Sequence, residues 1–184
     1  MNTVPKNKLT LEEDKLLNGL REYLDEDLYF YGSIQRGDYI VGKSDIDIAI
    51  FTSNEKSILL KLQHYLHVDK DQIKRVLWKL KQNNTITYGY KLKYETKTIH
   101  MEFAVYNEKA KKDVMEYQDN TINIPFYISW ILYILKFLYY QCNIISLTTF
   151  YKLKRKIFAY VSNQKDGQEE EFIILNNKYN KNNI

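Results

Sequence analysis

The stretch FYGSIQRGDYIVGKSDIDIAIF, residues 30–51, decides the fold. An apolar segment ends at Gly32 and Ser33, a polar loop follows, and a second apolar segment begins through Asp45 and Asp47. Carboxylates are poor strand formers, so local propensity does not explain two of them at the start of an apolar segment. Their presence indicates a chemical role.

The second apolar segment has the period of a β-strand. Isoleucines at positions 46, 48 and 50 alternate with Asp45 and Asp47, so the aspartates share one face and the isoleucines the other. The segment TIHMEFAVY, residues 98–106, alternates in the same way and places Glu102 on its polar side. The alternative for each acid is a solvent-facing strand whose charges only resist aggregation.

The paired aspartates predict a divalent-cation site. Asp45 and Asp47 lie about 6 to 7 Å apart along one strand face, and a carboxylate on a neighbouring strand can complete the group. Carboxylate oxygens are the ligands that Mg²⁺ or Mn²⁺ takes beside phosphates and water. Gly32 lets the backbone approach a phosphate closely, and Ser33 can donate to its oxygens. This combination of metal ligands and phosphate-binding groups is what in-line displacement at the phosphorus of a nucleoside triphosphate needs.

Size, charge and composition limit the remaining choices. A chain of 184 residues suits one domain, or one domain with a small appendage. Its 27 basic and 23 acidic residues give a net charge of +4, which permits nucleic-acid, nucleotide or protein partners. The single Cys142 excludes an internal disulfide, and a polar start over residues 1–14 predicts a cytoplasmic protein.

Helical periodicity recurs along the chain, while residues 73–80 fit either a helix or a strand. The predicted helices cover residues 9–24, 56–66, 109–118, 125–142 and 148–161. The fourth approaches membrane-spanning length, but Lys136 and Gln141 interrupt it, so we expect a buried helix and no membrane segment. The last helix carries a basic set that either contacts a nucleic-acid backbone or is its solvated face: Lys152, Lys154, Arg155 and Lys156.

These residues together resemble the polymerase-beta-type nucleotidyltransferase superfamily. The matching segments are YGS at 31–33, RGD at 36–38, SDIDI at 44–48 and MEF at 101–103. The resemblance implies an α/β fold. A palm with a mixed sheet and flanking helices would cover residues 1–108. A small helical region, residues 109–163, would close the nucleotide cleft, and residues 164–184 would form a poorly ordered polar tail.

The resemblance also implies roles for individual residues. Asp45, Asp47 and Glu102 would be the metal-binding catalytic residues, and Gly32 and Ser33 would bind the triphosphate. The loop between Ser33 and Asp45 holds eleven residues, one more than we expect in many members. Because a surface loop tolerates such an insertion, the extra residue weakens assignment to a subfamily more than assignment to the superfamily.

A second resemblance concerns residues 128–158, which look like the region after the palm in non-templated RNA-tailing enzymes. There a lysine in an apolar helix reaches the triphosphate, and Lys136 occupies that position; the alternative is a lysine that only extends from a buried helix to solvent.

These helices and the positive charge favour an RNA 3′ end as acceptor. Adenylylation of a protein by a minimal nucleotidyltransferase antitoxin, modification of a small molecule such as an aminoglycoside, and a catalytically silent nucleotide-binding or scaffold protein remain open.

Overall fold

The computed structural model describes residues 1–80, 85–161 and 172–175. Its helices are α1 (Leu11–Leu24), α2 (Glu55–Leu66), α3 (Lys111–Ile122), α4 (Phe126–Tyr140) and α5 (Leu147–Val161). Its strands are β1 (Tyr29–Tyr31), β2 (Ile46–Thr52), β3 (Ile73–Leu80), β4 (Thr85–Glu95), β5 (His100–Asn107) and β6 (Phe172–Leu175).

All six strands form one sheet in the order β1-β2-β5-β4-β3-β6. Only β2 and β5 pair in parallel, and every other neighbouring pair among the described strands is antiparallel. The connection from β2 to its parallel neighbour β5 contains α2 and the β3–β4 hairpin. This mixed sheet with flanking helices confirms the predicted α/β palm.

Helices α1 and α2 cover one face of the sheet. Thr10 and Glu13 form a capping box that begins α1, and leucines at 17, 20 and 24 place its apolar side inward. They pack with α2 against the isoleucines of β2, whose side chains at 46, 48 and 50 are fully buried. This cluster is the main core.

A second, aromatic cluster lies on the opposite face of the sheet. It joins Phe51 of β2, Trp78 of β3 and Tyr106 of β5 to Val114 of α3. The rings of Trp78 and Tyr106 stack with their centroids 5.9 Å apart. Strand β2 is therefore buried on both faces along most of its length, and Asp47 stands near its start, on the face of the aromatic cluster.

Two segments extend the sequence-based assignments. Residues 73–80, which fit either structure, form β3, and β6 adds an edge strand to β3 that the sequence analysis did not assign. The rest of the predicted tail, residues 164–171 and 176–184, lies outside the described residues. No helix in the described ranges is long and apolar enough to cross a bilayer.

Candidate active site

The turn expected to hold the triphosphate follows β1 directly. Gly32–Gln35 form a short 3₁₀ turn in which Gly32 has a φ of +68° and Ser33 is buried. A Cβ added at Gly32 would overlap the carboxylate of Asp47, so only glycine fits both the backbone conformation and the close approach. The predicted phosphate turn and the predicted metal ligand are thus in contact.

Strand pairing brings the predicted acids to neighbouring positions. Asp47 and Glu102 are register partners on the parallel strands β2 and β5, which places their backbones about 4.8 Å apart. Asp45 is exposed immediately before β2, and Asp47 is half-buried. Glu102 accepts a hydrogen bond from the ammonium group of Lys91 on β4.

Asp47 lies in an electrostatic environment that disfavours its negative charge. Burial, together with the charges of Glu102 and Asp45, raises the pKa of Asp47 to about 7, and the lysines at 154 and 91 oppose this rise. These oxygens match the ligand type of a hard divalent cation, whose charge would relieve the repulsion. Among the described residues, no three Asp, Glu, His or Cys side chains already converge as a metal site, and Glu102 is engaged by Lys91.

Lys136 lies in a buried ion-pair cluster beneath α4. Asp38 is fully buried and accepts from Arg36 Nε at 2.7 Å, from a terminal guanidinium nitrogen of Arg36 at 3.2 Å and from Lys136 Nζ at 3.1 Å. Lys136 also donates to Ser44 Oγ at 3.1 Å, one residue before Asp45. One carboxylate thus faces two cations, and the cluster carries a net charge of +1.

The pKa values in this cluster reflect the shared carboxylate. Burial raises the pKa of Asp38, but the hydrogen bond and charge of Arg36 and the charge of Lys136 outweigh it and hold the pKa below its usual value. Burial lowers the pKa of Lys136; Asp38 opposes this, and the charge of Lys154 adds to it. Positive charge is therefore in excess next to the turn that leads into Asp45.

Helix α5 contributes a lysine that sequence reasoning did not single out. Phe150, Lys154 and Phe158 recur every four residues and share the inner face of α5. Phe150 stacks on Tyr139 with 4.7 Å between ring centroids, and the Arg36 guanidinium lies 5.3 Å from the centre of the Phe158 ring. Both anchors direct this face toward α4 and the 36–44 loop.

Lys154 is half-buried between those anchors, whereas Lys152 and Lys156 are exposed. Its charge acts on both Asp47 and Lys136. Within the described part of the chain, its ammonium group has no hydrogen-bond or ion-pair partner. The signal in the sequence was the four-residue spacing with two phenylalanines, which separates Lys154 from its basic neighbours.

The end of α4 lies near the acids. Burial and the charge of Asp45 raise the pKa of Tyr140 to about 12, with smaller effects from Tyr139 and Tyr151. The helical region therefore presents a lysine and a tyrosine toward the carboxylates of the palm, since Lys154 acts on Asp47 and Asp45 acts on Tyr140. Such an arrangement suits a ligand that carries both phosphates and an aromatic base.

Comparisons with known proteins give one family and two similar structures. The model of the nucleotidyltransferase domain family matches residues 13–175. A structure of a cytoplasmic RNA terminal U-transferase is 16% identical over 71% of this chain and 42% of that one, with a TM-score of 0.41. A poly(U) polymerase structure is 15% identical over 70% and 41%, with a TM-score of 0.38. The chain spans less than half the length of either protein. No curated protein sequence matches it.

Proposed function

The chain belongs to the nucleotidyltransferase domain family, of the polymerase-beta type, and we propose that this nucleotidyltransferase transfers a nucleoside monophosphate to an acceptor hydroxyl. The observation that supports this most directly is the contact of the Gly32 turn with Asp47, beside Glu102 on the parallel neighbouring strand. The turn that we expect to bind phosphate thus adjoins the carboxylates that we expect to bind metal, and this proximity supports the proposed reaction.

The proposed reaction is an in-line displacement at the α-phosphorus. The acceptor oxygen forms a bond to this phosphorus, the bond to the bridging oxygen breaks, and pyrophosphate leaves with the electron pair. The hydroxyl proton passes to solvent. Catalysis of this kind depends mainly on positioning and charge neutralisation.

A divalent cation, when bound, would lower the pKa of the attacking hydroxyl and neutralise phosphate charge. Asp45 and Asp47 would hold it, and Glu102 would join them after exchanging its contact with Lys91. Either Mg²⁺ or Mn²⁺ suits these oxygen ligands.

The basic side of the cleft would receive the triphosphate. Backbone amides of the Gly32 turn and the hydroxyl of Ser33 would orient its oxygens, since such turns bind anions well. The buried cluster of Lys136 would attract the phosphates through its excess positive charge. Lys154 would do so through an ammonium group that is not paired with a carboxylate of the described residues. In this arrangement α4 and α5 form the wall that closes the cleft.

We propose an RNA 3′ end as the acceptor, and the cytoplasm as the compartment. Lys152 and Lys156 lie one turn apart on the exposed side of α5, about 160° around the helix from Lys154, where they can contact a phosphate backbone. Tyr151 is 53% exposed on the same helix and offers a ring on which a base can stack.

A labelling experiment tests the reaction and the acceptor together. The purified chain is incubated with each labelled nucleoside triphosphate and Mg²⁺ or Mn²⁺, and single-stranded RNA, total cell protein and small metabolites are offered separately. A ladder on RNA is expected. A discrete protein band would instead identify protein nucleotidylation, and label on a metabolite would identify a small acceptor.

Asp47→Asn is the matched inactive variant for this experiment. It is nearly isosteric and removes one charge, so we expect a folded protein without transfer. If this variant labelled RNA as fast as the unmodified chain, the metal assignment would be wrong. If no triphosphate were incorporated into any fraction, the catalytically silent alternative would replace the proposal.

A further inference from the structure

Helix α4 exposes a continuous apolar surface on the side that faces away from the palm. We call it the outer α4 face. Its seven members are each between 38% and 79% exposed: Phe126, Tyr127, Trp130, Ile131, Tyr133, Ile134 and Phe137. At about 100° per residue they cover an arc of about 160° around the helix axis.

The inner side of α4 is apolar as well. Ile128, Leu132 and Leu135 are buried there, together with Lys136, whose charge is directed into the Asp38 cluster. The outer face carries no charged side chain. A helix that is apolar all round is typical of one covered on every side, but within the described residues only its inner side is covered.

The size of the outer α4 face matches an interface. Its five aromatic side chains and two isoleucines leave about 750 Å² of mostly apolar surface in solvent. The largest apolar patch of an ordinary monomer measures about 300–600 Å², whereas a stable complex buries about 800 Å² on each partner. One such face is enough for one side of a standard interface.

The absence of charged residues from the outer α4 face indicates what kind of partner it binds. A lipid surface or a polyanion would be recognised by basic residues within the face, and the only charged residue of α4, Lys136, is directed inward. Two-fold pairing brings a surface against itself, so it requires a face without charges that would repel their own copies. The outer α4 face meets that condition.

We propose that two copies of the chain associate through the outer α4 face. Trp130 and Ile134 lie one turn apart at the middle of the face and would pack against the same residues of the second copy. Large aromatic side chains at the centre of an interface contribute most of its stability. This inference does not depend on the transfer reaction, because Lys136 and the acids lie on the other side of α4.

Sedimentation equilibrium of the full chain at micromolar concentrations tests the proposal. We expect a species of twice the 22.2 kDa chain mass. Trp130→Glu and Ile134→Glu should each raise the dimer dissociation constant at least about 30-fold, because each places a charge against its own copy. The control is Leu60→Glu on α2. Leu60 is 66% exposed, close to the 64% of Trp130, but lies outside the face, so its replacement should leave the constant unchanged.

Circular dichroism first establishes that all variants are folded. A chain that stays monomeric up to about 100 μM, well above typical dissociation constants for such areas, would refute the proposal. So would a dimer that the two outer-face variants weaken no more than Leu60→Glu does. Sedimentation of a monomeric chain with lipid vesicles would assign the face to a membrane surface and would also overturn self-association.

Discussion

Replacing Asp38 with Asn should destabilise the protein by about 3 kcal/mol, the lower end of the range for breaking a buried ion pair. Asp38 has no solvent exposure, and its partners Arg36 and Lys136 are 6% and 5% exposed. The change keeps the shape of the side chain but removes the negative charge, and an NH₂ group, which donates hydrogen bonds, replaces one carboxylate oxygen. Arg36 and Lys136 then lose the negative charge of Asp38, and at least one donor loses its acceptor.

Urea unfolding at neutral pH measures this loss, and thermal unfolding should show a melting temperature about 6–12 °C lower for a chain of this size. The control is Glu95→Gln. Glu95 is 52% exposed and pairs with Lys93 at 3.2 Å, so its loss should cost no more than about 1 kcal/mol. High salt should shrink the effect of the control and leave the effect of Asp38→Asn nearly unchanged.

A loss below about 1 kcal/mol for Asp38→Asn would refute this reasoning. A double variant adds a sharper criterion. Lys136→Met removes one of the two cations, so the combination with Asp38→Asn should be less destabilising than the sum of the single changes. Strict additivity would mean that the two groups do not interact as the 3.1 Å contact indicates.

Three further predictions follow from the same geometry. Because the folded-state pKa of Asp38 lies below its ordinary value of 3.8, its contribution to stability is complete above that value and disappears as the pH falls through the folded pKa. Urea midpoints measured from pH 6 downward should therefore fall more steeply for the unmodified chain than for Asp38→Asn below about pH 4; parallel curves would contradict this. Gly32→Ala should lower the rate of transfer at least about 100-fold and the free energy of unfolding by about 1–2 kcal/mol, since the added Cβ would overlap the Asp47 carboxylate at a φ of +68°. Turnover of the labelled triphosphate and the melting temperature measure the two effects, and unchanged turnover would contradict this prediction. Lys154→Gln should raise the dissociation constant of a nucleoside triphosphate about 10-fold in equilibrium dialysis, whereas Lys156→Gln should change this constant little. The unphosphorylated nucleoside should bind to both variants with the same affinity. Equal triphosphate binding by both variants would remove Lys154 from the site and leave the transferase proposal standing.

The parts of the site that could be predicted are those encoded within a few residues. Gly32 and the alternation through Asp47 depend on local backbone geometry, which a short segment specifies. The pairing of Asp47 with Glu102 needed the additional knowledge that the two strands are neighbours, and the family resemblance provided it.

The remaining features depend on tertiary contacts. Ser44 and Lys136 are 92 positions apart, and nothing in the period of α4 shows that its lysine meets a carboxylate in the 36–44 loop. Residues 73–80 were ambiguous because a short apolar run fits a strand or a helix equally well. β6 was not assigned because four apolar residues in a polar context become a strand only when an unpaired edge such as β3 is present.

The position of β6 has a consequence for the order in which the chain folds. β3 pairs with a segment about one hundred residues later, since Arg75 lies opposite Leu175. During synthesis, β4 can pair with β3 early, but the other edge of β3 stays open until residue 175 has been made. Contacts so distant in sequence form slowly, and an open strand edge is a template for intermolecular pairing in the meantime. A nascent or shortened chain that lacks β6 should therefore aggregate through β3, although the residues of the proposed transfer site are all made before it.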